Sequence, residues 1–342
     1  MKRIVIGSTH ANSGKTSLII GYGKQLAGKI GYLKPFGDRP VYRKKRLWDT
    51  DVSLLTRVFS LHEDPEAMVM GFDHSKLRFS YTDTGIRDRL CKMAEEAEAG
   101  KDTLVVEAGS DLFSGASLGL DPFVLSRILQ ARCFIVVAGR DDDAVDKACF
   151  LGEKTDFPDS LFGGVIFNKV SNPEEFRKEQ LPIVEQKGIS VAGIVPDKPA
   201  LRTLTIRFLA ENLFMKPLAD AERPDLPVDS IFLGAMSAGE AGKLPAFQSK
   251  AKLVITSGDH SDLILAAIES GASGILLADD ISPGADLVAR AGEKGIPLFL
   301  ASCDLFELAR QVERLSPLPA PGDHTRLDLL KQLVSEGVRF ED

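Results

Sequence analysis

Thr9-His10-Ala11-Asn12-Ser13-Gly14-Lys15-Thr16 ends as a phosphate-binding loop ends, in Gly-Lys-Thr, but a threonine stands where the first glycine of G-x-x-x-x-G-K-[ST] belongs. A loop of this kind (Walker A) holds phosphate with inward-facing backbone N–H groups and with the N-terminus of the following helix. Asn12, Ser13, Gly14, Lys15, Thr16 and Ser17 are therefore the expected nucleotide contacts. Lys15 would reach the β- and γ-phosphates, and the Thr16 hydroxyl would meet Mg2+. Thr9 is a defect only if that position needs a positive φ, and Gly7, two residues earlier, is expected to take the tight turn.

Other reactive side chains follow apolar runs. T-L-V-V-E-A-G-S puts Glu107 at a strand end, where open α/β sheets bind ligands; a carboxylate there is costly unless paired or metal-bound, so Glu107 is expected to help place Mg2+. Y-L-K-P-F puts Lys34 just past a second strand, suited to a γ-phosphate or an anionic substrate, with Asp38 in the loop beyond it. V-I-F-N-K-V ends in Asn168 and Lys169, and Ser171 stands where the aspartate of a guanine-reading N-K-x-D would be. Guanine is thereby disfavoured, and the Asn168 amide is read as an adenine contact. W-D-T-D adds Asp49 and Asp51, as site acids or as solvated loop acids.

The elements that must position these groups alternate. R-I-V-I-G, K-I-G-Y-L-K-P, T-L-V-V-E-A, C-F-I-V-V-A-G, G-G-V-I-F-N-K-V and V-A-G-I-V-P are strand-length apolar runs separated by helix-length segments. That order predicts an α/β fold with a parallel sheet covered on both faces. Near Lys216 the pattern breaks into P-L-A-D-A-E-R-P-D-L-P-V-D-S, which reads as a linker. A second α/β series follows: S-I-F-L-G-A-M, K-L-V-I-T-S-G-D, G-I-L-L-A-D-D and I-P-L-F-L-A-S. The expected organisation is a nucleotide-binding domain over 1–217, a linker over 218–229, a smaller domain over 230–315 and a tail with one helix over 316–342. The run R-P-V-Y-R-K-K-R-L-W holds Arg39, Arg43, Lys44, Lys45 and Arg46 beside Tyr42 and Trp48 and is expected to be a loop, solvated or mobile over a phosphate pocket. A net charge of −7 argues against nucleic acid or an anionic membrane as the main partner. No run approaches the length of a membrane span. Four scattered cysteines without C-x-x-C spacing fit reduced thiols in the cytoplasm.

Taken together, G-S-T-H-A-N-S-G-K-T, G-Y-L-K-P, W-D-T-D, L-V-V-E-A-G-S with the later S-L-G-L-D, V-I-F-N-K-V and G-I-V-P-D-K-P-A-L-R-T-L-T-I-R-F-L resemble the dethiobiotin-synthetase-like P-loop proteins. That branch includes cobyrinic acid a,c-diamide synthase and the N-terminal part of long bacterial phosphate acetyltransferases. The resemblance implies ATP and Mg2+ as cofactors, with Lys15 and Thr16 on phosphate and metal, Glu107 and Asp51 as metal ligands, Lys34 on the substrate side and Asn168 on adenine. The second domain is similar to the DRTGG domain of those acetyltransferases, through L-G-A-M-S, L-V-I-T-S-G-D-H-S-D-L-I-L-A-A, G-I-L-L-A-D-D and G-I-P-L-F-L-A-S-C-D-L-F-E-L-A. His260 replaces the arginine of the D-R motif and A-D-D replaces T-G-G; Asp259 and Asp262 flank His260, as a helix-cap cluster or a pH-sensitive contact.

No acetyl-transfer segment and no glutamine amidotransferase segment is recognised, so neither activity is expected. The leading expectation is a cytoplasmic, dimeric ATP- and Mg2+-binding regulatory protein with slow or conditional ATPase activity, whose DRTGG domain senses a metabolite or mediates dimerisation. One alternative is a ligase or kinase activating a small carboxylate or carbamate. Another is a nucleotide-gated dimeric scaffold, against which His10 stands in place of the second lysine of partitioning ATPases.

Overall fold

The computed structural model describes residues 1–43, 46–154, 158, 160–213, 215–219, 226–234, 236–315 and 317–340. They form two compact units, Met1–Lys198 with Pro319–Asp342, and Pro199–Leu318.

The first unit contains β1 (Lys2–Ser8), β2 (Ile30–Leu33), β3 (Pro40–Arg43), β4 (Arg46–Asp49), β5 (Thr103–Glu107), β6 (Arg132–Ala138), β7 (Phe162–Val170) and β8 (Val191–Pro196). Six of these make one sheet in the order β2-β5-β1-β6-β7-β8. Every neighbouring pair is parallel. These are the six apolar runs of the sequence. Their centres (Ile4–Ile6, Leu104–Val106, Phe134–Val137) are buried because helices cover both faces, which is why they read as continuous rather than alternating. Helix α1 (Lys15–Gln25) leaves β1 through the phosphate loop.

The basic run is not a loop. Pro40–Arg43 and Arg46–Asp49 pair as an antiparallel hairpin, β3–β4; Lys44 and Lys45 lie outside the described residues. Its second strand ends in Asp49, which caps α2 (Thr50–Val58) by accepting from the N–H groups of Asp51 and Val52.

The terminal helix His324–Gly337 belongs to the first unit. It lies on α1 at Gly21, where a Cβ would stand 2.5 Å from both the Leu330 carbonyl and Val334 Cγ2. Beyond the helix, Val338 bridges antiparallel to Gly193 of β8. The Phe340 ring packs 4.2 Å from Tyr22 and 5.0 Å from Phe134, centroid to centroid. The stretch expected to be a separate tail is thus core of the nucleotide-binding unit.

The second unit holds β9 (Leu204–Thr205), β10 (Lys216–Ala219), β11 (Pro227–Val228), β12 (Ser230–Leu233), β13 (Lys252–Ser257), β14 (Gly274–Ala278) and β15 (Leu298–Leu300). Its main sheet runs β10-β15-β14-β13-β12. β12 to β15 are parallel, and β10 is antiparallel on the edge, where Pro217 is tolerated. One face packs around Val254, Ile264 and Leu277, the other around Ile255, Leu276 and Leu308. The expected boundary at 217 therefore moves to 198. The expected linker supplies the second half of β10 and all of β11 on either side of residues 220–225, which lie outside the described residues. Among the described residues no helix is long and apolar enough to cross a membrane.

Candidate nucleotide site

The loop between β1 and α1 makes its sharp turns at Asn12 (φ 61°) and Gly14 (φ 97°). Thr9 is not among the positive-φ residues, so a side chain there carries no strain. Gly7 does not take the turn as expected. It lies inside β1, and it is glycine because a Cβ would stand 2.7 Å from Pro122 Cβ.

Two side chains at the end of β7 hold the loop from the side. Asn168 Nδ2 donates to the Ser13 carbonyl (2.8 Å), and Lys169 Nζ donates to the Asn12 carbonyl (2.7 Å). A Cβ on Gly14 would collide with Asn168 Nδ2, so close packing as well as φ requires glycine there. The Ser13 hydroxyl ties the turn to itself by donating to the His10 carbonyl (2.6 Å). Ser17 sits half-buried in the first turn of α1.

Inside this frame Lys15 is buried, and its ammonium donates to Ser8 Oγ (2.8 Å) and the Ser110 carbonyl (3.2 Å). Burial lowers its pKa, partly offset by the carboxylate of Glu107. Thr16 Oγ1 donates to Glu107 Oε1 (2.9 Å), and Tyr32 OH donates to Glu107 Oε2 (2.8 Å). Burial and the charge of Asp51 push Glu107 up to about 7, against Lys34, Lys15 and the hydrogen bond from Tyr32.

Beside Glu107 a second cluster surrounds Lys34, whose side chain is 1% exposed. Its Nζ lies 2.5 Å from Asp38, 2.7 Å from Asp51 and 3.2 Å from Asp49. Burial opposes that ammonium, yet the pull of Asp51, Asp49, Glu107 and Asp38 raises it well above the ordinary lysine range. Burial likewise opposes the Asp51 carboxylate, and Lys34 and Arg39 overcome it and bring Asp51 down to about 2. Asp49 does three jobs. It caps α2, faces Lys34, and accepts from the backbone N–H groups of Asp38 and Arg39, which pins the base of the β3–β4 hairpin.

The structure thus gathers Lys15, Thr16, Glu107, Lys34 and Asp51 at the ends of β1, β2 and β5, with Asn168 bracing the loop. Ser8, Ser110 and Tyr32 went unread. Tyr32 had a signal: two residues before Lys34 in a strand, it shares that lysine's face. An open groove of about 780 Å³ lined by Lys24, Lys29, Phe59 and Lys101 contains none of these groups.

The hard oxygens of Thr16 and Glu107, buried together at the mouth of a phosphate loop, fit Mg2+ in kind. In the second unit, His260 stands at the N-cap of the helix Ser261–Glu269 without a side-chain capping bond; its Nδ1 lies 3.1 Å from Thr256 Oγ1 and 3.3 Å from the Gly234 carbonyl. Asp262 instead accepts from the Ala238 N–H. Asp279 (φ 62°) and Asp280 (φ 54°) keep the left-handed backbone that glycines would take, a conformation aspartate tolerates better than most side chains.

A family model described as an AAA domain matches residues 2–205, and one described as a DRTGG domain matches residues 209–315. The chain belongs to this AAA-domain family of P-loop proteins and carries a DRTGG domain behind it. It is similar to the phosphate acetyltransferase of Pseudomonas putida, 23% identical over 365 residues that cover 98% of this chain and 50% of the relative. Cobyrinate a,c-diamide synthase of Methanosarcina barkeri is 26% identical over 207 residues, 58% of this chain and 37% of the relative. The chain spans about half the length of the curated acetyltransferases it matches. Among solved structures, the CBS and DRTGG domains of the regulatory region of Clostridium perfringens pyrophosphatase, in complex with the activator diadenosine tetraphosphate, align over 43% of this chain and 71% of that one, with 15% identity and a TM-score of 0.29.

Proposed function

We propose that the first unit binds ATP with Mg2+ and hydrolyses it slowly or conditionally, and that the DRTGG domain makes the chain a regulatory protein that senses a metabolite. The observation that carries this reading is the 2.9 Å contact between Thr16 Oγ1 and Glu107 Oε1 beside the buried Lys15. The loop N–H groups and Lys15 would hold the β- and γ-phosphates and take up the charge that develops on the transferring phosphoryl group. Thr16 and Glu107, with Asp51 as a further carboxylate, would hold Mg2+, which supplies charge neutralisation between the two phosphates. Asn168 commits one N–H to Ser13, and its carbonyl oxygen and second N–H remain for the edge of an adenine.

Lys34 is enclosed by three carboxylates, which favours hydrolysis over transfer to a carboxylate substrate. A cytoplasmic homodimer is part of the same proposal. Calorimetry tests it: ATP should bind tightly only with Mg2+, and Lys15→Ala should weaken binding on the order of 100-fold, the loss of a charge-assisted contact. Equal binding by Lys15→Ala, or no Mg2+ dependence in the parent chain, would refute it.

A further inference from the structure

Within the proposed cation site, we propose that Tyr32 is a positioning residue: its hydroxyl occupies Glu107 Oε2, so that Oε1, the oxygen shared with Thr16, is the one presented to Mg2+. The proposal rests on that reading of Thr16 and Glu107. β2 runs parallel to β5 with Tyr32 opposite Val105 and Leu33 opposite Val106, which sets the phenol beside the end of β5. Lys34 follows directly after the strand, so Tyr32 on Glu107 and Lys34 on Asp51 sit at the same strand end.

Phenylalanine would fill the same fully buried space. What the hydroxyl adds is one hydrogen bond, and its partner is a carboxylate oxygen at 2.8 Å. Burying a hydroxyl in a strand core costs free energy unless it is bonded, so Tyr32 is matched to Glu107 rather than to the apolar core. Thr16 on one oxygen and Tyr32 on the other hold the carboxylate from both sides, and Oε1 is the oxygen bonded to the phosphate-loop residue. Groups that hold a metal's carboxylate ligand in this way set metal affinity without touching the metal.

The test uses the full chain and Mn2+ as the spectroscopic probe, with Tyr32→Phe and Glu107→Gln compared to the parent. Tyr32→Phe is expected to lower the Mn2+ affinity of the ATP-loaded protein roughly 10-fold, the lower end for such partners. The Mn2+ resonance should broaden and ATP affinity without metal stay the same, while the melting temperature falls by a few degrees because Glu107 Oε2 loses its buried donor. Mn2+ affinity within about twofold of the parent, a small change beside the effect such partners exert, would overturn the proposal. A matching loss of metal-free ATP affinity would also overturn it, because Tyr32 would then serve packing alone. If instead Glu107→Gln binds Mn2+ as the parent does, the reading of the cation site itself fails, and that outcome is recognisable whatever Tyr32→Phe does.

Discussion

Replacing Lys34 by methionine keeps the aliphatic stem and deletes one charge at the centre of the acidic cluster. In the parent, three carboxylates lie within 3.2 Å of the ammonium, and two of them, Asp49 and Asp51, are almost without solvent access. Among the described residues, Arg39, 3.3 Å from Asp51, remains as an ion-pair partner. Breaking a buried ion pair by removing one member costs about 3–5 kcal/mol, because the partner charge stays buried. In a unit of this size each kcal/mol moves the melting temperature by about 2–4 °C, so Lys34→Met should melt roughly 10 °C lower. The sign with pH follows from the carboxylates. Without the ammonium they take up protons more readily, so the deficit should be largest near neutrality and shrink in mild acid. Thermal melts followed by circular dichroism, in buffers free of divalent ions, measure both. A shift of less than about 2 °C at neutral pH, smaller than 1 kcal/mol would give, or a deficit that grows in acid, would refute the assignment of Lys34 as the cluster's counter-ion.

Gly14→Ala should lower stability by about 1–3 kcal/mol through a strained left-handed φ and the collision with Asn168; adding Asn168→Ala should relieve only the collision, as denaturant titration of both would reveal. Gly21→Val should lift the terminal helix from α1, since its Cβ would press on the Leu330 carbonyl; amide exchange in residues 324–337 should quicken while exchange in β13 and β14 does not change. Glu107 has its pKa raised from 4.5 to about 7, so the folded, metal-free protein holds a proton that the unfolded chain releases. Its stability should then fall as pH rises through that window, by about 3 kcal/mol at 1.4 kcal/mol per pH unit, and Glu107→Gln should flatten the slope. Urea midpoints across pH measure this, and a parent profile that rises between those values would count against it.

Much of the site was legible because each reactive residue follows an apolar run. Lys34 and Glu107 were placed at strand ends by that pattern alone, and parallel pairing through β5 brought them together. What stayed hidden depends on pairings made far along the chain. The hairpin β3–β4 was masked by its charge, since a basic run reads as loop until Val41 is seen opposite Trp48. Gly7 was misread because its neighbour Pro122 lies more than a hundred residues away. β10 looked like linker because Pro217 argues against a strand, and only an edge position beside β15 admits it. Asn168 was read for its amide's fit to a base, while the contact it makes here is with the Ser13 carbonyl.

The return of residues 324–340 to the first unit sets the order in which the protein can be built. As the chain leaves the ribosome, β1 to β8 emerge before the DRTGG domain, but the face of α1 around Gly21 and Tyr22 lacks its contacts with Leu330, Val334 and Phe340 until the helix His324–Gly337 and Phe340 have been made. The DRTGG domain, whose strands and helices all lie between, is synthesised before that cover arrives and has its own two-faced core to fold around. The nucleotide-binding unit is therefore completed only after the DRTGG domain has been made, against the usual N-terminal-first sequence of multidomain folding.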